Sequence, residues 1–249
     1  MPSSEKKFES ELFELLEELR PFALAYYHPL VSGETDSPEK VEQWFRRFFI
    51  RDFGVGVARA YVKCPHLEPR RFLAENLFEE EGRGNANETH PALSLRLARH
   101  FGASEEEIQR THDKWMKSPA IAQYLELAAS YDWLEDFAGF GLGQEFFAPP
   151  LFELIVERLR AEFDLDDETL KFFLVHMYED VDHSVRTMKM VTRYADTDES
   201  QQKVCSAIRT TVMGLAGRSG GRPASELPAP IVETLRKRAR VAGQVIAPT

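Results

Sequence analysis

The sequence predicts an all-α fold, on three observations. Apolar residues recur at spacings of three and four along most of the 249-residue chain. No segment alternates polar and apolar residues as a half-buried strand does. No self-similar unit recurs at the periods of solenoid repeats. Connections between the helical patterns are short, so the helices are expected to pack as one bundle of seven or more.

Phe8, Leu12, Leu15, Leu16, Leu19 and Phe22 mark one face of a first helix, which Pro21 should kink or divide. His28-Pro29 and Ser32-Gly33 end that segment. Ser37-Pro38-Glu39 is a helix start, a cap followed by proline at the first helical position, and an aromatic face (Trp44, Phe45, Phe48, Phe49) carries the helix towards Val62. After Cys64-Pro65-His66, a helix is expected from Glu68-Pro69 to Glu80 or Glu81, closed by Gly82 and Gly84. Further helices are expected over 88–100 and 104–115. Ser118-Pro119 opens a long apolar helix through Tyr124, Leu127, Leu134 and Phe137 to about Phe147, and Pro149-Pro150 interrupts it before a helix to Phe163. Asp166-Asp167-Glu168 starts a helix to Arg193, and the last clear one covers 199–215. The helical domain is taken as 1–222 and residues 223–249 as a tail with one short helix.

Composition narrows the function. Asp plus Glu is 41 against 31 Lys plus Arg, a formal charge of −10. Such acidity is unsuited to binding phosphate backbones or anionic membrane surfaces. The basic patch Arg236-Lys237-Arg238 is read as a solvated helix face. No apolar run is long enough for a transmembrane helix, and Glu5, Glu9 and Glu11 argue against a secretory signal. The expectation is a cytoplasmic protein. Two cysteines, Cys64 and Cys205, are too few for a disulfide scaffold or a thiolate metal site.

Three stretches carry chemistry. In His176-Met-Tyr-Glu-Asp180-Val-Asp-His183, the residues at offsets zero, four and seven fall within about 60° on a helix. Their face continues to Phe172 and Phe173, so two imidazoles and a carboxylate point inward, where polar groups need a partner. A metal would be one; a hydrogen-bonded polar pair would be another, and the spacing leaves both open. In the second stretch Glu79, Glu80 and Glu81 close a helix at its negative end, which disfavours acids. They are either a solvated run, or one of them turns to a cation, with Gly82 and Gly84 bending the chain so that His90 reaches the same point. In the third, Gly139, Gly141 and Gly143 alternate before Glu145. The glycines weaken a helix but allow another helix or a ligand to approach closely, and Glu145 by itself reads as an ordinary surface residue.

The ordered pattern Asn-Leu-x-x-Glu-x-Gly-x-Gly-x5-His, a later Glu, then His-x3-Asp-x2-His resembles the haem-oxygenase-like diiron oxidases, relatives in fold of the thiaminase and pyrroloquinoline-quinone-synthase groups. The resemblance spans about 8–215 and implies a seven-helix haem-oxygenase-like bundle. It implies Glu80, His90, Glu145, His176, Asp180 and His183 as ligands of two Fe(II) ions, the second of them labile. Glu80 is preferred to its neighbours because it alone gives the x9 spacing to His90. The resemblance also implies an O2-dependent oxidoreductase, with an electron donor, acting on a small amino-acid-derived or fatty-acid substrate by desaturation, C–C cleavage or N-oxygenation. A homodimer is compatible with it. Three imidazoles and three carboxylates suit Fe(II) or Mn(II), and the lack of thiolates argues against structural zinc. A ferritin-like site would need two Glu-x-x-His motifs, and the sequence has none. Arg186, one turn beyond His183, and Phe172 are the candidates for substrate contact. The alternative is a cofactorless or non-catalytic small-molecule-binding member of the same fold.

Overall fold

A computed structural model describes residues 4–25, 27–31, 38–45, 53–117 and 129–218. Among these, helices are the only regular secondary structure. In chain order they are α1 (Ser4–Ala25), α2 (His28–Val31), α3 (Pro38–Phe45), α4 (Phe53–Lys63), α5 (Leu67–Glu80), α6 (His90–His100), α7 (Glu105–Met116), α8 (Trp133–Gly141), α9 (Ala148–Phe163), α10 (Lys171–Tyr194) and α11 (Asp198–Arg218). The predicted helix from Ser37 to Val62 is described only as α3 and α4, and its Phe48 and Phe49 lie outside the described residues. So do the start of the helix at Ser118, the Arg236 patch and the whole of the 223–249 tail.

Four local features depart from expectation. Pro21 sits inside α1 without dividing it. The long apolar helix expected to reach Phe147 is broken at Tyr131-Asp132. Asp132 accepts from the Leu134 and Glu135 amides while the Glu135 carboxylate takes the Asp132 amide, a reciprocal cap that starts α8. Apolar periodicity continued across this cap and concealed it. Pro149-Pro150 begins α9 rather than interrupting a helix, because the first turn has no use for the missing N–H groups. Likewise Asp166 caps a turn through the Thr169 amide, and α10 begins at Lys171.

α8 packs against α4, α10 and α11, α1 lies along α11, and α9 runs beside α10. Two apolar clusters result. One gathers Leu12 and Leu16 of α1, Phe72 of α5, Phe137 of α8 and Ile208 of α11; the other gathers Phe45 of α3, Leu97 of α6 and Phe152 of α9. Helix α10 joins both. Its Phe172 and Phe173 belong to the second cluster and its Met188, Met190 and Val191 to the first. The stretch from His176 to His183 therefore lies at the seam between two packed cores. No helix among the described residues is long and apolar enough to cross a membrane.

Candidate metal centre

Helix α5 ends at Glu80, and the chain then reverses through Gly82, Arg83 and Gly84, all at positive φ (69°, 51° and 91°). A Cβ on Gly82 would lie 2.6 Å from the backbone of Glu88 and Thr89, so only glycine allows this approach. Thr89 then caps α6 by accepting from the Ala92 amide. The outcome is His90 Nδ1 at 2.7 Å from Glu80 Oε1, both buried. The His176 ring stands 4.4 Å from that of His90, centroid to centroid. Its Nδ1 donates to the Phe172 carbonyl at 2.6 Å, which leaves Nε2 with a lone pair to offer.

Glu145 lies on a 3-10 turn (Glu145–Phe147) just beyond α8, not within a long helix. Gly141 permits this placement, since a Cβ there would meet Thr187 of α10 at 2.6 Å. The close approach the glycines allow is thus that of a helix. Glu145 Oε1 is 3.3 Å from His183 Nδ1, and Asp180 Oδ1 is 3.8 Å from the same nitrogen. Asn76 of α5 donates to Glu145 Oε1 at 3.2 Å. The other nitrogen of His183, Nε2, donates to Glu79 Oε2 at 2.9 Å.

The six predicted residues thus fall into two sets of three. Glu80, His90 and His176 form cluster one; Glu145, Asp180 and His183 form cluster two. Within each, one potential ligand atom per residue lies within 4.8 Å of the others. Cluster two also contains a buried ligand atom without a hydrogen bond, Glu145 Oε2, and in cluster one His90 Nδ1 faces Glu80 Oε1 at 2.7 Å in an alignment that makes no hydrogen bond. Buried polar groups are rarely left so, and a cation is the partner that both a lone pair and a carboxylate oxygen would accept. The residues present fit a divalent ion at each set.

Protonation agrees with strong confinement. Burial pushes Glu80 up to about 8, with Glu145 and Glu179 adding to it against the pull of His176 and His183. Asp180 is raised well above the carboxylate range, first by burial and then by Glu145. Burial, then the neighbouring His90, lowers His176 to about 3. His176 keeps some exposure as a residue, but its ring is flanked by His90, Phe172 and Phe152. His90 is also lowered, chiefly by burial. At His183 burial opposes the charge, yet the hydrogen bond and charge of Glu145, with Asp180 and Glu79, raise it to about 10. Glu145 raises both Glu80 and Asp180, so charge in one cluster is felt in the other.

The profile of iron-containing redox enzymes matches residues 44–214, most of the chain and both clusters. The chain belongs to that family. In three dimensions it is similar to a domain of unknown function with a haem-oxygenase-like fold from Shewanella denitrificans, with a TM-score of 0.57 over 97% of this chain and 95% of that one. Identity between the two is 16%, so the likeness speaks for the fold, an all-α haem-oxygenase-like bundle. No curated protein sequence matches the chain.

The remaining predicted residues are placed differently. Phe172 is buried against His176, with ring centroids 4.4 Å apart, and walls cluster one. Arg186 is directed elsewhere: it pairs with Glu75 at 2.6 Å and Asp182 at 3.2 Å and lies over the Phe72 ring. Its charge is already matched at the helix surface, which removes the reason for giving it a substrate carboxylate. In the sequence Asn76 has a place in the motif but no role, Glu79 is set aside in favour of Glu80, and Glu179 is not singled out. Asn76 precedes Glu80 by one helical turn, so its facing the centre was open to a helical-wheel reading.

Proposed function

We propose that the protein is a non-haem diiron oxidase or oxygenase that uses O2 to oxidise a small, amino-acid-derived substrate by desaturation, C–C cleavage or N-oxygenation. The observation that carries this reading is the pair of largely buried three-donor sets, with Glu145 Oε2 left without a hydrogen bond and His90 Nδ1 turned to Glu80 without forming one. Cluster one offers two imidazoles and one carboxylate, the donor set associated with non-haem Fe(II) that leaves open positions for O2. Cluster two offers two carboxylates and one imidazole, a harder set that tolerates ferrous and ferric iron. Two bound Fe(II) ions would supply electrons to O2 and a reactive position at which to hold it.

The protein's own groups prepare that chemistry. The Phe172 carbonyl fixes the His176 tautomer, so that Nε2 faces the ion. Glu79 does the same for His183 and directs Nδ1 inward. Asn76 orients Glu145. Phe152 and Phe172 pack against the His176 ring. Reduction of O2 to water takes four electrons. A two-electron oxidation of the substrate supplies half, and an external donor supplies the rest. A fatty acid remains an alternative substrate, and a homodimer an alternative to a single chain.

Anaerobic loading should give about two Fe(II) per chain, and O2 should then produce a transient visible absorption band. Amino and fatty acids can be screened for substrate-triggered O2 consumption by the loaded protein. If no iron is taken up, or if uptake is unchanged in His176→Ala, the diiron reading fails and a metal-free small-molecule-binding protein replaces it.

A further inference from the structure

Behind the two clusters lies a second layer of charge that meets at one residue. Arg83 Nη2 donates to Glu79 Oε1 at 3.0 Å and to Glu179 Oε1 at 2.7 Å. The far oxygen of Glu79 holds His183 Nε2 at 2.9 Å, in cluster two. The far oxygen of Glu179 stands 3.8 Å from His90 Nε2, in cluster one. That oxygen is buried and has no hydrogen bond of its own. One guanidinium therefore reaches one histidine of each cluster, through one carboxylate each. The carboxylate side chains are 16% and 18% exposed against 52% for arginine, so the chain of contacts runs from the surface inward.

The backbone beneath Arg83 is informative too. Its φ and ψ are 51° and 35°, the left-handed region that a long side chain enters at a cost. Glycine flanks it on both sides and would serve the turn better at the middle position as well. A strained residue that persists where glycine would suffice points to a task for its side chain.

We propose that Arg83 is a positioning residue common to both metal sites. It clamps Glu79 and Glu179; Glu79 orients His183 through a hydrogen bond, and Glu179 keeps a negative charge beside His90 Nε2 that favours the proton there, so that the ring nitrogen opposite each carboxylate would present its lone pair to an ion. The inference rests on the diiron reading and assigns to it a part of the chain that touches neither metal. Carboxylates behind metal-binding imidazoles fix ring orientation and basicity, and their loss typically weakens metal binding ~10–100-fold.

The test is metal affinity rather than turnover. Mn(II) binding to the full-length chain can be followed by electron paramagnetic resonance with chelator competition, beside the thermal midpoint of the metal-free protein. Arg83→Gly relaxes the left-handed backbone and removes the clamp. It is expected to leave the midpoint unchanged or higher while weakening both sites by roughly 10-fold or more. Glu79→Ala should weaken one site and Glu179→Ala the other, each sparing its counterpart. Glu79→Gln, which keeps an oxygen to accept from His183, should recover part of the loss. Wild-type affinity in Arg83→Gly, with two ions still bound, would overturn the proposal and leave the diiron reading intact. Equal weakening of both sites by Glu79→Ala would overturn it as well, because separate carboxylates would then not serve separate histidines. Failure of the unsubstituted chain to bind any metal would overturn both readings together.

Discussion

The two halves of the centre are built from similar donors by different means. Cluster two is drawn from secondary structure held on all sides: Asp180 and His183 from the middle of α10, and Glu145 from a turn pinned by the Gly141–Thr187 contact. All three residues are buried, and Asn76 and Glu79 hold two of them in place. Cluster one depends on a glycine-hinged reversal to bring His90 to Glu80, and its His176 is partly open. The charges differ in the same sense. Cluster two brings two carboxylates, of which Asp180 is raised by burial and by Glu145 and so keeps its proton in the metal-free protein, whereas cluster one brings a single carboxylate. One candidate site is thus held by packed secondary structure and the other is assembled by a glycine hinge. As isolated, the protein is expected to hold no metal or only one ion, and that ion in cluster two.

The largest effects should come from cutting each half separately. Asp180→Ala removes the carboxylate at the core of cluster two, and His90→Ala removes the hinged ligand of cluster one. Each should lower iron binding from about two ions to about one, and O2-dependent activity should be lost in both. The tight phase of the binding isotherm should vanish in Asp180→Ala and persist in His90→Ala. If both variants lose the same phase, the asymmetry between the clusters is wrong.

Next in size is Gly82→Ala. The new methyl meets the Glu88–Thr89 backbone at 2.6 Å and carries a positive φ that alanine avoids. Overpacking of this kind costs ~1–3 kcal/mol, and about 1 kcal/mol moves the midpoint of a chain this size by ~2–4 °C. The metal effect should be selective, with weak-phase binding lost and tight-phase binding kept. Loss of both phases would mean that the turn supports the whole centre rather than one half.

A smaller effect concerns pH. In the metal-free protein Glu80 titrates at about 8 against 4.5 when unfolded, and His183 at about 10 against 6.5. In both cases the folded state holds its proton longer. The stability linked to these protons is therefore complete below the unfolded values and is lost as pH rises to 8 and 10. His176 acts oppositely. Its folded value of about 3 against 6.5 makes stability fall as pH drops below 6.5. Calorimetric scans of metal-free protein should therefore show midpoints declining above about pH 6.5. Metal requires the deprotonated ligands, so the gap between loaded and metal-free midpoints should widen over the same range. A gap independent of pH would contradict protonated Glu80 and His183 in the metal-free protein.

How much of this was legible in the sequence follows from where each interaction lies along the chain. His176, Asp180 and His183 are within two helical turns, so periodicity alone places them on one face. Glu80 and His90 are brought together by a turn whose glycines are visible as letters. The division into two clusters was not visible, because it depends on how α5, α8 and α10 cross. The Glu79–His183 and Arg83–Glu179 contacts join residues 104 and 96 positions apart, and no local pattern encodes them. The Asp132 cap was readable as Asp-x-x-Glu but was outweighed by the apolar period running through Trp133, Leu134 and Phe137. The placement of Arg186 was hidden for a related reason. One turn from His183 is near in sequence, but the ring of Phe72 and the carboxylates of Glu75 and Asp182 draw the guanidinium to the surface.

The smallest expected effect falls on Asn76, and it probes cluster two alone. Its amide nitrogen donates to Glu145 Oε1 and lies 3.4 Å from His183 Nδ1, while its amide oxygen is buried without a partner. Asn76→Ala removes the hydrogen bond that orients Glu145, and with it an oxygen whose burial was already unfavourable. The two changes offset in stability, so the metal-free midpoint should move by only a few degrees. Metal binding has no such offset, because Glu145 must reach its ligand position without guidance. The tight phase should weaken by roughly 10-fold, the lower end for residues that support a ligand, with the weak phase unchanged. A larger change in the weak phase than in the tight one would place Asn76 in service of Glu80, its neighbour one turn along α5, and would redraw the boundary between the two halves.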